Sequence, residues 1–162
     1  MTSPSYTIRE YEAGDLERVL ELTVEGFDGT AIEQRIDLAY SDAEPPRDWK
    51  AAKQGEVADD LRHHAEGCFV AIVGGEVVGY VTTSVREDRL QGRIANLATD
   101  RRLRNLGIGR ALLERALAHF RERGLRVARI ETLADNEVGN HLYPSLGFRE
   151  VARQVHFALR LD

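Results

Sequence analysis

At 162 residues, with 43% hydrophobic and 30% charged side chains, the chain has the length of one ordinary domain and enough apolar material for a core. A net charge of −5 and a pI near 5.6 exclude a general nucleic-acid binder, whose affinity comes mainly from Lys and Arg neutralising phosphates. The single cysteine, Cys68, excludes an intrachain disulfide and sits in GCFVAIV, an apolar stretch where cysteine behaves as a small hydrophobe. The opening MTSPSYTIREYE lacks the basic-then-apolar layout of a signal peptide, and no apolar run approaches the ~20 residues that span a bilayer. A soluble cytoplasmic protein is expected, with no membrane partner and no metal.

YTIREYE (6–12) alternates as a strand does. In AGDLERVLELTVEGF (13–27), Leu16, Val19, Leu20, Thr23 and Phe27 recur at helical spacing, with Asp15 placed to cap the first turn. AIEQRIDLAY suggests a short helix, SDAEPPRDW a loop stiffened by Pro45 and Pro46, and KAAKQGEVADDLRHHAEG a polar helix ending at Gly67. FVAIV (69–73) and VVGYVTTSV (77–85) are strands joined across Gly74-Gly75, a dipeptide that tolerates positive φ and suits a hairpin. RIANLAT (93–99) is a third strand of this run. A helix follows with Leu112, Leu113, Ala116, Leu117 and Phe120 on one face, ended by Gly124. VARIETL (127–133) is a strand, NEVGNHLYPSLG a short helix, and FREVARQVHFALRL (148–161) mostly strand, with Val151, Val155, Phe157, Leu159 and Leu161 alternating. This order suggests one mixed sheet with helices on both faces.

Between RIANLAT and the following helix lies RRLRNLGIGRALL (101–113), with Arg101, Arg102, Arg104 and Arg110 around Gly107 and Gly109. The first N–H groups of a helix lack internal partners and lie at the positive end of its dipole, so such a start binds anions. Glycine lets backbone approach the anion, and arginine adds charged hydrogen bonds. A plain helix start with solvated arginines fits the same residues. The stretch has neither the lysine-hydroxyl ending of a P-loop nor the Rossmann glycine spacing.

The R-x-x-G-x-G pattern Arg104-Asn-Leu-Gly107-Ile-Gly109, followed by N-x(6)-LYPSLGF from Asn136 to Phe148, resembles the GNAT superfamily of acetyl-CoA-dependent N-acetyltransferases over essentially the whole chain, 1–162, as one domain. The resemblance implies an α/β fold whose mixed, mostly antiparallel central sheet of six to seven strands is splayed in the middle. It implies coenzyme A contacts from Arg104, Asn105, Leu106, Gly107, Ile108, Gly109 and Arg110 at the pyrophosphate. It further implies that Leu97, Ala98 and Thr99 meet the pantetheine arm beside a strand bulge, with the Leu97 amide near the acetyl carbonyl. Two positions depart from the commonest family wording: Arg101 stands where proline is frequent, and Asn105 where glycine is usual. Asparagine tolerates left-handed backbone better than most residues, which preserves the loop shape.

Acetyl transfer to an amine needs a neutral amine and a proton for the leaving thiolate. Amines with pKa values of roughly 8 to 10.4 are mostly protonated at neutral pH, so a base is useful, and the thiolate gains from an acid. Tyr143, in LYPSLGF, is the candidate acid by the resemblance and a core aromatic by position alone. Glu131, twelve residues earlier, is the candidate base, at the spacing seen in the branch that acetylates a ribosomal-protein N-terminus. By itself it also reads as an exposed strand charge paired with Arg129. Asn136 can cap its helix or bond the pantetheine arm. The adjacent His63 and His64 point apart on a helix and cannot pinch one metal.

In this superfamily the region between the first strand and the hairpin builds the acceptor site, here residues 26–67. Phe27, Tyr40 and Trp49, with Asp28, Glu33, Asp37, Asp42, Glu44 and Asp48, make either a wall suited to a cationic amine or a solvated acidic surface. Phe27 and Trp49 are the candidate substrate contacts. The expected partner is a small-molecule amine or a peptide or protein amine, and the expected state a monomer or homodimer. The rival functions are a noncatalytic acyl-CoA-binding sensor module and a nucleotide-binding domain of another kind.

Overall fold

Five strands, β1 (Thr7–Glu10), β2 (Phe69–Val73), β3 (Glu76–Arg86), β4 (Gln91–Thr99) and β5 (Val127–Ile130), form one sheet in that spatial order. Neighbours are antiparallel except β5, which runs parallel to β4. The computed structural model describes residues 5–42 and 46–161, so Glu44 and Pro45 lie outside the described residues. Gly74 and Gly75 both take positive φ, 58° and 86°, which closes the β2–β3 hairpin in two residues.

A parallel pair needs a crossover, and α4 (Ile108–Glu122) supplies it between β4 and β5. The apolar face of α4 packs Leu112, Leu113, Ala116 and Phe120 onto Phe69, Ala71, Val81 and Ile94 of the sheet. The opposite sheet face carries Val70, Tyr80 and Ala98, covered by Val19 and Leu22 of α1 (Leu16–Phe27) and Val57 and Leu61 of α3 (Trp49–His63). Each fully buried leucine or valine contributes about 2 kcal/mol. The short α2 (Ile32–Ala39) leans on α3, and α5 (Glu137–Ser145) follows β5. Among the described residues, no helix is long and apolar enough to cross a membrane.

Three expectations are corrected. The sheet has five strands, not six to seven, because residues 148–161 pair with no strand: Val151 is 96% exposed, Phe157 93% and Leu161 92%. Their alternation encodes a half-buried strand, yet the segment is tied elsewhere, by Tyr40 Oη donating to the Ala158 carbonyl at 3.1 Å and Arg160 pairing with Asp42 at 2.9 Å. Next, β5 stops at Ile130, since β4 diverges there and leaves Glu131–Leu133 without a strand beside them. Finally, Asp15 does not cap α1 through its side chain; its carboxylate accepts two bonds from Arg9, at 2.7 and 2.8 Å, and one from the Glu12 amide at 2.9 Å.

Candidate active site

The β3–β4 ladder shifts register between Thr82 and Thr83: Thr82 faces Asn96 and Thr83 faces Ile94, so Ala95 is an extra, bulged residue. The bulge turns β4 over. Ile94 packs in the α4 layer, whereas Ala98 packs in the α1–α3 layer. The last β4–β5 pair is Ile94 with Ile130, and beyond it β4 runs on to Thr99 paired with β3 but not with β5. A cleft of about 570 Å³ opens where the strands part, floored by β4 and walled by the start of α4, the Glu131–Leu133 segment and α5.

Asn96 anchors the bulge. Its side-chain amide donates to Thr82 Oγ1 and to Asp60 Oδ2, both at 2.8 Å, and its own oxygen is buried without a protein partner. Burial pushes the Asp60 carboxyl up, partly countered by the Asn96 donor. Neither residue belongs to the motifs of the sequence; the signal that marks Asn96 is a lone polar side chain among Ile94, Ala95, Leu97 and Ala98.

Below the cleft, the chain leaves β4 through Asp100, makes a single 3-10 turn at Arg101–Leu103, and extends at Arg104. Asn105 then takes φ 64° and Gly107 φ 80°, and α4 begins at Ile108. These two left-handed residues swing the backbone so that the first turn of α4, whose N–H groups have no partner inside the helix, opens onto the cleft. Arg104, Asn105, Gly107, Ile108, Gly109 and Arg110 all line it, whereas Leu106 turns away and packs against the α4 core. Arg110 is braced by Glu114 at 3.0 Å and by Ser145 Oγ at 3.0 Å, which ties the helix start to α5. Arg101 lines the cleft 3.7 Å from Asp28.

Arg102 is committed to structure. The side chain of Asp100, 2% exposed, accepts from the Arg102 backbone and guanidinium and from Arg18. The Arg102 hydrogen bonds hold the Asp100 carboxyl down to about 2. Because pairing lowers the folded-state value below the ordinary ~3.9, this stabilisation is complete above about pH 4 and is lost as pH falls through about 2. It amounts to something on the order of 2 kcal/mol. Asp100→Asn is therefore expected to lower the melting temperature at pH 7 and to flatten the acid limb of stability between pH 4 and 2, read by calorimetry. An unchanged acid limb assigns that limb to other carboxylates.

Tyr143 lines the cleft from α5, its ring edge-on to Phe148 at 6.3 Å between centroids. Burial pushes its phenol up, so the hydroxyl keeps its proton at neutral pH. Asn136 also lines the cleft. Its oxygen accepts from the Gly139 amide at 3.3 Å as the N-cap of α5, and its amide donates to Thr132 Oγ1 at 2.7 Å. Glu131 reaches the cleft from beyond β5, accepting from Arg93 at 3.1 Å and from Arg129. Leu97, Ala98 and Thr99 form the floor, and His141 reaches the wall.

On the acceptor side the residues divide. Phe27 and Asp28 line the cleft, but Trp49 stands outside it as the first residue of α3. The ring face of Phe27 is already covered by Lys53 Nζ, 4.5 Å from its centroid. Most of the acids are occupied: Arg47 pairs with Asp37 at 2.7 Å and Glu33 at 3.5 Å, and Asp48 caps α3 through the amides of Lys50 and Ala51. Among the described residues, Asp28 is the acid of this stretch that lines the cleft, itself bonded to Gln34 at 2.8 Å. Cys68 is buried outside the cleft, its thiol pushed up to about 11 by burial.

A strand that bulges and parts from its parallel neighbour above an anion-ready helix start defines the architecture of acyl-coenzyme A-dependent transferases. Residues 33–148 match the Acetyltransferase (GNAT) family, and the chain belongs to it. An uncharacterized N-acetyltransferase of Methanocaldococcus jannaschii is 27% identical over 151 residues, covering 90% of this chain and 62% of that protein. An N-alpha-acetyltransferase of Sulfurisphaera tokodaii is 29% identical over 110 residues, covering 61% and 66%. The chain thus spans under two thirds of the length of either curated relative. The crystal structure of Ard1 from Thermoplasma volcanium superposes with a TM-score of 0.67 at 28% identity, covering 91% of this chain and 84% of that one.

Proposed function

We propose that this chain, as one catalytic domain, transfers acetyl from acetyl-CoA directly to a primary amine within a ternary complex. The observation that carries the reading is the parting of β4 from β5 directly above the left-handed Asn105–Gly107 turn, in one cleft with Tyr143 and Glu131. The residues present suit coenzyme A. The α4 first-turn amides with Arg104 and Arg110 offer donors for a pyrophosphate, and Ala95–Thr99 offers backbone groups, unpaired toward β5, for the pantetheine amides. When bound, acetyl-CoA supplies an activated thioester, whose acetyl group forms the new amide while its sulfur leaves with a proton.

The chain's own groups then divide the proton work. Tyr143 holds a proton at Oη for the leaving sulfur, and its burial keeps that proton in place until it is needed. Glu131 takes a proton from the acceptor ammonium, which must first share or displace the Arg93 and Arg129 contacts. The Leu97 amide, beside the bulge, polarises the acetyl carbonyl. Asn136 holds the start of α5, and with it the placement of Tyr143, whatever it offers the pantetheine arm. Phe27 and Asp28 mark the acceptor's entry. Resemblance to an N-alpha-acetyltransferase makes a peptide N-terminal amine the first acceptor class to test, ahead of small-molecule amines.

The decisive experiment is a thiol-release screen with acetyl-CoA against short peptides and diverse amines, with products identified by mass. Acetylated amine with stoichiometric thiol is expected. A rise in melting temperature with acetyl-CoA but no thiol release across the panel would replace the enzyme by an acyl-CoA-binding module. Stabilisation by ATP or NAD but not by coenzyme A would remove both. With a working acceptor, Glu131→Gln is expected to move the acid limb of the pH–rate profile toward the amine's own pKa, that is, to higher pH. An unmoved limb gives the base role to water or another carboxylate.

A further inference from the structure

Alternate residues of a strand face opposite sides of the sheet, and on β4 and β5 the two sides carry different chemistry. Ile94 of β4 and Ala128 and Ile130 of β5 pack toward the α4 core. Arg93 and Arg129 therefore lie on the other face, the one that α1 and α3 cover further along the sheet. Glu131 joins them there, accepting from Arg93 Nε at 3.1 Å and from Arg129 Nη2. The two arginines stand directly opposite one another in the β4–β5 ladder, an arrangement that like charges resist. Among the described residues, Glu131 is the one carboxylate bonded to both. Asp60 of α3, which also feels the Arg93 charge, bonds to Asn96 instead. Both Nη atoms of Arg93, and Nε and Nη1 of Arg129, meet no acceptor among the described residues. All three side chains are about half exposed, so a ligand can reach them, and Glu131 itself lines the cleft.

We propose that Arg93 and Arg129 form a carboxylate-recognition subsite, so that the acceptor is an amine with a carboxylate close to its nitrogen: a free α-amino acid, or a peptide whose first residue is acidic. This rests on the acetyl-transfer reading above and names its acceptor class. The proposed cofactor phosphates do not compete for the pair, because α4, whose start would hold them, packs on the opposite face of the sheet. The exchange on binding keeps every charge partnered. In the free protein Glu131 lies between the two guanidiniums. An incoming carboxylate takes over their forked donors while the ammonium takes Glu131. Glu131 is thereby released from the arginines and accepts the ammonium proton as the nitrogen attacks the thioester. An amine without a carboxylate offers no such exchange, and its positive charge meets two guanidiniums beside the base.

Matched acceptors decide it, assayed by thiol release from acetyl-CoA with products identified by mass. Free alanine and leucine are compared with their α-amides, and peptides beginning with Asp or Glu with the same peptides beginning with Asn or Gln. In one of the two sets the acid is expected to exceed its amide at least ~10-fold in kcat/KM, and which set does so tells an α-carboxylate from a side-chain one. Arg93→Gln and Arg129→Gln are each expected to bring that ratio within about 3-fold of one without changing KM for acetyl-CoA, and Arg129→Lys to restore part of it. Equal use of acids and amides by the unaltered protein overturns the proposal and leaves acetyl transfer standing. A preference for acids that survives both substitutions overturns it too, as does a loss of turnover equal for acids and amides, which assigns the arginines to holding Glu131 alone. Should a variant misfold, the acid-to-amide ratio of the unaltered protein decides by itself. Absence of turnover with every acceptor overturns the acetyl-transfer reading, and this proposal with it.

Discussion

Replacing Gly107 by glutamate is expected to abolish coenzyme A binding, with a loss of affinity of more than ~100-fold in titration calorimetry, equivalent to about 3 kcal/mol. Two physical effects combine. Gly107 sits at φ 80°, where an L side chain is strained by roughly 1–2 kcal/mol. The larger effect is charge, because a carboxylate at the start of α4 would stand where the pyrophosphate is proposed and would satisfy the same amides. Gly107→Ala separates the two. A Cβ at this position meets nothing closer than Tyr6 Oη at 3.7 Å, so alanine adds backbone strain without a clash. Its effect should therefore be much smaller than that of glutamate. Unchanged affinity in Gly107→Glu removes the helix start from the binding site.

Tyr143→Phe is expected to lower kcat by about 100-fold, the lower end of what a positioned general acid contributes, with KM for acetyl-CoA changed less than about 3-fold. Phenylalanine keeps the ring that packs against Phe148, so the melting temperature should stay within a degree or two. The split between kcat and KM is the informative readout. A residue that only packs would alter stability or KM, whereas one that holds the proton for the leaving sulfur alters turnover alone. Near-normal turnover assigns Tyr143 to the core and leaves protonation to water.

Much of this site was legible before folding because it is local in sequence. Gly74-Gly75 between two alternating runs is a hairpin by backbone sterics alone, and the structure closes it there. Asn105 in the place of a glycine was expected to tolerate left-handed backbone, and it takes φ 64°. The residues from Arg104 to Arg110 reach the cleft together, with Leu106 the exception, because a turn that presents its neighbours to a groove must bury one side chain beneath itself. Composition left the acids of residues 28–48 open between a receptive wall and a solvated surface, because charges find their partners only in space: Arg47 and the α3 N-terminus take up Glu33, Asp37 and Asp48, and Trp49 stays outside the cleft.

The sequence by itself determined the helices, the hairpin and the anion-ready turn, since hydrophobic period, glycine placement and capping act over a few residues. Tertiary structure alone decided which strands find partners. Residues 148–161 carry as clear a strand pattern as β2, yet β2 lies between two neighbours and that segment beside none. It also decided where β4 and β5 part, because one bulged residue, Ala95, turns a strand over only when a fixed ladder on β3 counts the mismatch. Alternation specifies a face to be buried, not the edge that buries it; that depends on hydrogen-bond partners far away in the chain.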